Sequence, residues 1–401
     1  MTTPTPARVR RAIPATALAF LVTMMGTTLP TPLYALYSAE LDFTPLTITI
    51  LFAVYAVGVV GALLAFGRLS DDIGRRPVMV LAVLLAAASA LLFLLPPSLP
   101  ALISARIVSG LGAGLMSGTG TAAIMDLFPA QRRALAGTVA VISNTGGLAL
   151  GTLVAGMLAD AAPSPLQTPY LVHLALCAVA LAGLWIWTPR PSRLRRARLR
   201  LNGLRVPPYL RGAFVRAVLA AGSGFAVTGV LTAVSALFLA RELHLDSHAL
   251  AGFVVFLAFA GMALGQVIAG RLAPRVALPS GCSGLVLAAA TLAWALGASA
   301  LAPLLAAAAI LGLSGGLCLH AALATTVGQV PPAHRGEVSS SFFAGLYAML
   351  AIPAIGVGLL AGAIGLRPAG LVFTAVVAAL AATVGVIELL STRGDGSTVA
   401  A

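Results

Sequence analysis

The sequence predicts an all-α membrane protein of twelve transmembrane helices arranged as two six-helix repeats. Three observations carry that expectation. The chain of 401 residues is 60% hydrophobic and only 9% charged, too little polar surface to clothe soluble domains of that size. Apolar runs of about 20 residues, the length that crosses a bilayer, recur along it. Motifs of the first half return in the second at one separation. A water-soluble enzyme is excluded on the first count. The formal charge of +13 rests on arginine alone, because all 24 basic residues are Arg. They flank apolar runs, where they orient helices in a bilayer, rather than forming a face for nucleic acid.

Taken in order, the spans are expected at residues 13–37, 46–66, 78–97, 100–125, 134–159, 169–188, 212–240, 248–270, 277–298, 302–327, 338–362 and 368–390. Arg8, Arg10 and Arg11 precede the first, whose apolar stretch is longer than that of a signal peptide, so it reads as a membrane helix. Pro30 and Pro32 should disturb its far end. The chain then divides into a six-helix bundle over 1–188, an arginine-rich linker over 189–211 and a second six-helix bundle over 212–401 with a short tail. With both ends in the cytoplasm, every arginine but Arg106, Arg241 and Arg367 lies on the inner side, which fixes the orientation.

The repeat is direct. Gly67-Arg68-Leu69 returns as Gly270-Arg271-Leu272, Gly112-Ala113 as Gly315-Gly316, and Asp126-x-x-Pro129-x-x-Arg132 as Gln329-x-x-Pro332-x-x-Arg335, each 203 residues later. Parallel repeats of this kind are a transporter architecture, with the substrate site near mid-membrane between them.

The connection after the second span reads Gly67-Arg68-Leu69-Ser70-Asp71-Asp72-Ile73-Gly74-Arg75-Arg76-Pro77. It resembles the signature loop of the major facilitator superfamily, most closely the drug/proton antiporter branch, with Asp72 where that family usually has arginine. The resemblance implies that Gly67, Asp71, Gly74, Arg75, Arg76 and Asp126 form a conformational gate. In it, Arg75 pairs with Asp126 and Asp71 packs at the start of the eleventh helix. Close backbone approach at the glycines, and stabilisation of Asp71 by a helix N-terminus near Glu337, support the same reading.

Arg106 opens a glycine-rich stretch of the fourth span that resembles a second motif of that superfamily, with Ser109 where glutamine is frequent. An arginine in a span either faces protein and water, where the resemblance implies influence on proton transfer or an anionic group, or snorkels to the headgroups. At helical phase Ser109, Ala113 and Ser117 share its stripe, and the offset maps that stripe onto Gly312, Gly316 and His320 in the tenth span. His320 can titrate near pH 6.5 or can stay neutral, bonded to a neighbouring helix. Arg106, His320 and Asp71 are the proton-coupling candidates. Thr16, Thr23, Thr27, Thr31 and Tyr34 form a polar stripe on the first span. Thr23, Thr27, Thr31 and Tyr34, with Ser109, Ala113, Ser117, Gly316 and His320, are cavity candidates. Gly147, Gly151 and Gly156 resemble a degenerate form of the antiporter glycine motif, and close helix packing explains them equally.

All 11 acidic residues fall at span ends or in connections, which favours neutral or weakly anionic substrates over strong cations. Without lysine there is no phosphate-cradling P-loop, so a proton gradient is the expected energy source and no cofactor is implied. Cys177, Cys282 and Cys318 stand singly, and His244 and His248 are expected to be solvated without a third metal ligand. The expectation is a monomeric secondary transporter in a bacterial-type inner membrane, meeting lipid, protons and a small-molecule substrate. Export of amphipathic, drug-like molecules leads; proton-coupled uptake, or a non-transporting sensor or enzyme, is the alternative.

Overall fold

The apolar runs fold as helices, broken mainly where proline or glycine interrupts the hydrogen-bond ladder. The computed structural model describes residues 6–67, 69–189, 204–331 and 334–397. Residues 1–5, Arg68, residues 190–203 of the arginine-rich linker, Pro332, Ala333 and residues 398–401 lie outside that description. Fourteen helices follow in chain order: α1 Pro6–Thr28, α2 Tyr34–Leu41, α3 Pro45–Phe66, α4 Leu69–Ile73, α5 Arg75–Phe93, α6 Leu99–Leu127, α7 Arg133–Ala161, α8 Thr168–Trp187, α9 Arg211–Glu242, α10 His248–Ala269, α11 Pro274–Ala298, α12 Leu301–Thr325, α13 Arg335–Ile364 and α14 Leu366–Ser397. The described residues contain no strand.

Eleven of the described helices are long and apolar enough to cross a membrane, where the sequence led to an expectation of twelve. The difference is the first span, whose helix α1 is long enough at 23 residues but less apolar than the others. Pro30 and Pro32 split it, so α1 stops at Thr28, a turn closes through Thr31 N–H to the Thr28 carbonyl, and α2 restarts at Tyr34. What remains as α1 starts with arginines and is studded with threonines. It can tolerate them because it packs against α5, α6, α7 and α8, and a helix surrounded by protein need not be uniformly apolar.

The chain divides into two units, the first holding residues 1–42, 54–203 and 248–252, the second 43–53, 204–247 and 253–401. The sequence-derived boundaries therefore shift at two short segments. Thr49, early in α3, packs on Gly358 of α13, and the first turn of α10 packs on Gly156 of α7. In the second unit α9 plays the part of α1: it touches α11, α12, α13 and α14, and 83% of its most apolar window is buried. The seventh span thus has almost no lipid face.

Candidate functional site

Gly74 shapes the 67–77 connection. Its φ of 94° and ψ of 158° lie in a region that costs residues with side chains about 1 to 3 kcal/mol, and the bend starts α5 at Arg75. Arg75 then reaches back. One terminal nitrogen donates to Asp71 Oδ1 at 2.5 Å and to Ser70 Oγ at 2.7 Å, while Nε donates to Asp126 Oδ2 at 3.2 Å. One guanidinium therefore ties α4, α5 and the end of α6 together, and it offsets an acid placed unfavourably at a helix C-terminus. Asp71 and Asp126 are 61% and 63% exposed, so each pair is worth about 0 to 1 kcal/mol. The cluster biases the connection without locking it. Arg76 turns the other way: it is buried, donates to the Trp185 carbonyl at 2.8 Å and lies 4.9 Å over the Trp185 ring. Gly67 is exposed at the end of α3.

Arg106 is 2% exposed, so it does not snorkel. It donates to the Thr27 carbonyl at 2.7 Å and its guanidinium lies 4.7 Å from the centre of the Tyr55 ring. The break in α1 explains the acceptor. The last carbonyls of a helix have no intrahelical partner, and α1 ends at Thr28, so Thr27 presents its carbonyl to α6. The prolines at 30 and 32 thereby create the seat that the buried cation occupies. Tyr34 is buried, its hydroxyl without a partner. The Tyr37 and Tyr170 hydroxyls are 3.3 Å apart, and Tyr170 stacks on Phe93 at 4.7 Å. Arg106 thus lies against one aromatic ring, that of Tyr55. Tyr55 escaped sequence reasoning because nothing in its spacing marks it as a neighbour of Arg106, and the Tyr37–Tyr170 pair had no sequence signal either.

The remaining candidates take varied positions. Thr23, Thr27 and Thr31 are buried; Thr23 and Thr27 donate to the Ala19 and Met24 carbonyls of their own helix, which leaves only their lone pairs for another group. Ser109 and Ala113 are buried, and half-buried Ser117 donates to the Gly114 carbonyl at 3.2 Å. Gly316 faces the Met262 backbone of α10, and the half-buried His320 ring lies beside Gly270. Gly147 and Gly151 seat α7 on the Leu21 and Met25 carbonyls of α1. Asp71 and Arg106 belong to the first unit, His320 to the second.

Two further polar clusters escaped sequence reasoning. His248 is not a solvated loop residue: it begins α10, and Asp160 accepts from its backbone N–H at 3.0 Å and that of Ala249 at 2.9 Å, with the His248 ring 2.7 Å away. In the second unit Arg216 Nε donates to Glu388 Oε1 at 2.6 Å, joining the first turns of α9 to α14. Topology places both of these partners near one end of their spans, but nothing local pairs them.

Residues 16–352 match the family model of the Major Facilitator Superfamily. The chain belongs to that superfamily. It is accordingly a multi-pass membrane protein, with the family and fold of transporters rather than of an enzyme. Among curated relatives, the multidrug transporter MdfA of Yersinia pestis bv. Antiqua (strain Angola) is 29% identical over 165 residues, 41% of this chain and 38% of MdfA. The match thus spans under half the length of that relative. The crystal structure of a bacterial homologue of the human lysosomal transporter Spinster, inward-facing and unoccupied, aligns over 97% of this chain and 99% of its own with a TM-score of 0.70 and 17% identity. The nucleoside transporter NupG aligns over 93% and 98% with a TM-score of 0.71 and 14% identity. At these identities the structures establish the superfamily fold.

Proposed function

We propose that the protein exports small amphipathic, drug-like molecules in exchange for protons, by alternating access. The observation that carries this reading is the buried Arg106 guanidinium, set on the Thr27 carbonyl and the Tyr55 ring. Holding a permanent cation inside a span costs about 2.5 to 3.5 kcal/mol on insertion scales, a cost proteins retain where charge meets substrate or protons. The similarity to MdfA supports the drug-like substrate class, and the exclusion of acids from the centres of spans supports neutral or weakly anionic members of it.

In this reading Gly67, Asp71, Gly74, Arg75, Arg76 and Asp126 form the gate. Arg106, His320 and Asp71 couple it to protons. Thr23, Thr27, Thr31, Tyr34, Ser109, Ala113, Ser117, Gly316 and His320 border the substrate path. A proton gradient drives the cycle without a cofactor. The protein works as a monomer in a bacterial-type plasma membrane, with both termini cytoplasmic.

The test uses everted vesicles, acid inside, with a fluorescent amphiphilic dye outside. Export by exchange predicts dye accumulation that collapses with the gradient, and Arg106→Gln should reduce the rate at least about tenfold at equal protein level, a loss of roughly 1.4 kcal/mol of transition-state stabilisation. Accumulation that ignores the gradient, or that survives Arg106→Gln intact, overturns the reading. Dye flux in the opposite sense under the same gradient assigns uptake instead.

A further inference from the structure

Arg106, Arg76 and Arg11 of the first unit each lie over an aromatic ring. Arg106 sits over Tyr55 and donates to the Thr27 carbonyl, and Arg76 sits over Trp185 and donates to the carbonyl of that same residue. Both are buried, and each has a ring and an oxygen. Arg11, near the start of α1, has the ring alone: its guanidinium lies 4.6 Å from the centre of the Trp187 ring at the end of α8. Arg11 is exposed, and no oxygen among the described residues accepts from it.

A guanidinium stacked on a ring uses the face of its plane, while its N–H donors point outward within that plane. The stack therefore steadies the Arg11 fork and leaves its donors unspent on protein. That fork matches two oxygens of a phosphate, and side-chain freedom that binding would otherwise remove is already reduced by the ring. Beside it the surface is apolar: Trp185 is 66% exposed and Ile186 is exposed as well. The Arg76 stack and its bond to the Trp185 carbonyl hold that indole in place. Neither α1 nor α8 contains an acid, so an anion meets no opposing charge on either helix. Tryptophan beside arginine at the end of a span is the composition of a headgroup boundary, where an anionic phosphate and its acyl chains arrive together. A soluble phosphate would occupy the fork and leave the indole and Ile186 uncovered.

We propose that the start of α1 and the end of α8 form a seat for one anionic phospholipid, its phosphate on the Arg11 guanidinium and its acyl chains along Trp185 and Ile186. The seat stands independently of the direction and the substrate of transport.

The chain has three tryptophans, Trp185, Trp187 and Trp294, so quenching by brominated lipid tests the seat directly. The full chain carrying Trp294→Phe is reconstituted in phosphatidylcholine vesicles that contain a minor share of either dibrominated phosphatidylglycerol or dibrominated phosphatidylcholine. Stronger quenching by the anionic lipid is expected, equivalent to about fivefold local enrichment, the scale of one arginine at an anionic headgroup. Arg11→Gln should bring the two lipids to parity, whereas Arg10→Gln, which removes an exposed charge one residue away, should keep most of the preference. Trp294 is equally exposed, and in a chain carrying Trp185→Phe and Trp187→Phe it should show no preference. Equal quenching of Trp185 and Trp187 by the two lipids overturns the proposal. So do the same preference at Trp294, or equal losses from Arg10→Gln and Arg11→Gln, which general attraction to an arginine-rich end predicts. Loss of the preference in inorganic phosphate, but not in chloride of equal ionic strength, assigns the fork to a free anion and overturns it too. If Arg11→Gln does not reconstitute, Arg11→Lys decides: it keeps the charge without the fork and should lower the preference, and an undiminished preference overturns the proposal.

Discussion

Asp71 and Asp126 compete for one guanidinium, and that sharing determines what their loss should do. Removing the Asp71 charge leaves Arg75 with Ser70 and Asp126, and a mostly exposed pair contributes about 0 to 1 kcal/mol, so folding should hardly change. Asp71→Asn is expected to lower transport by up to about fivefold, with expression and melting temperature unaltered, if the cluster biases the conformational equilibrium by up to that energy. Undiminished transport in reconstituted vesicles would remove Asp71 from the gate. The cluster was legible in part: Arg75 meets Asp126 as the resemblance implied, whereas its bond to Asp71, which the resemblance set at the start of the eleventh helix, had no sequence signal. The Arg106 site was only half legible. A cation in a span announces itself, whereas its acceptor is a backbone carbonyl exposed by two prolines, and its aromatic neighbour Tyr55 stands on another helix.

Helix packing follows small residues more than apolar ones, because lipid is as greasy as leucine and offers no hydrophobic drive between spans. The contact of α7 with α1 shows this: Gly147 and Gly151 let the backbones approach, and Thr28 donates to the Leu148 carbonyl at 2.8 Å. A branched side chain at Gly151 would strike the Met25 carbonyl and the Thr28 hydroxyl. Gly151→Val should therefore cost about 1 to 3 kcal/mol, seen as a drop in melting temperature in detergent. Gly146→Ala, which meets only Ile142 of its own helix, should be neutral or slightly stabilising, and equal melting temperatures for the two variants would contradict this account. The element boundaries were legible to within a few residues along most of the chain, since the apolar runs end where charges and helix breakers begin. The splitting of the first span was less so: the prolines signalled disturbance, not that α2 would form a helix of its own.

At the scale of the whole chain, the sequence offset reappears as a packing rule. Gly58 of α3 lies against Ile107 and Gly110 of α6, and Gly261, 203 residues on, lies against Ala309 and Leu313 of α12. Each unit also packs four of its helices on one, α5 to α8 on α1 and α11 to α14 on α9. The arginine distribution adds an orientation that can be measured. Cys177, Cys282 and Cys318 are buried, so background thiol labelling should be low. In intact cells Gln131→Cys, beside Arg132 and Arg133, should resist an impermeant maleimide while Ser164→Cys reacts; the reverse pattern would invert the topology. Finally, the Arg216 to Glu388 bond ties the entry of α9 to the far end of α14. A fluorescent reporter fused at the carboxyl end should thus be attached beyond Leu390, because trimming back past Glu388 would unfasten the clasp and leave a lone cation on the opposite stave.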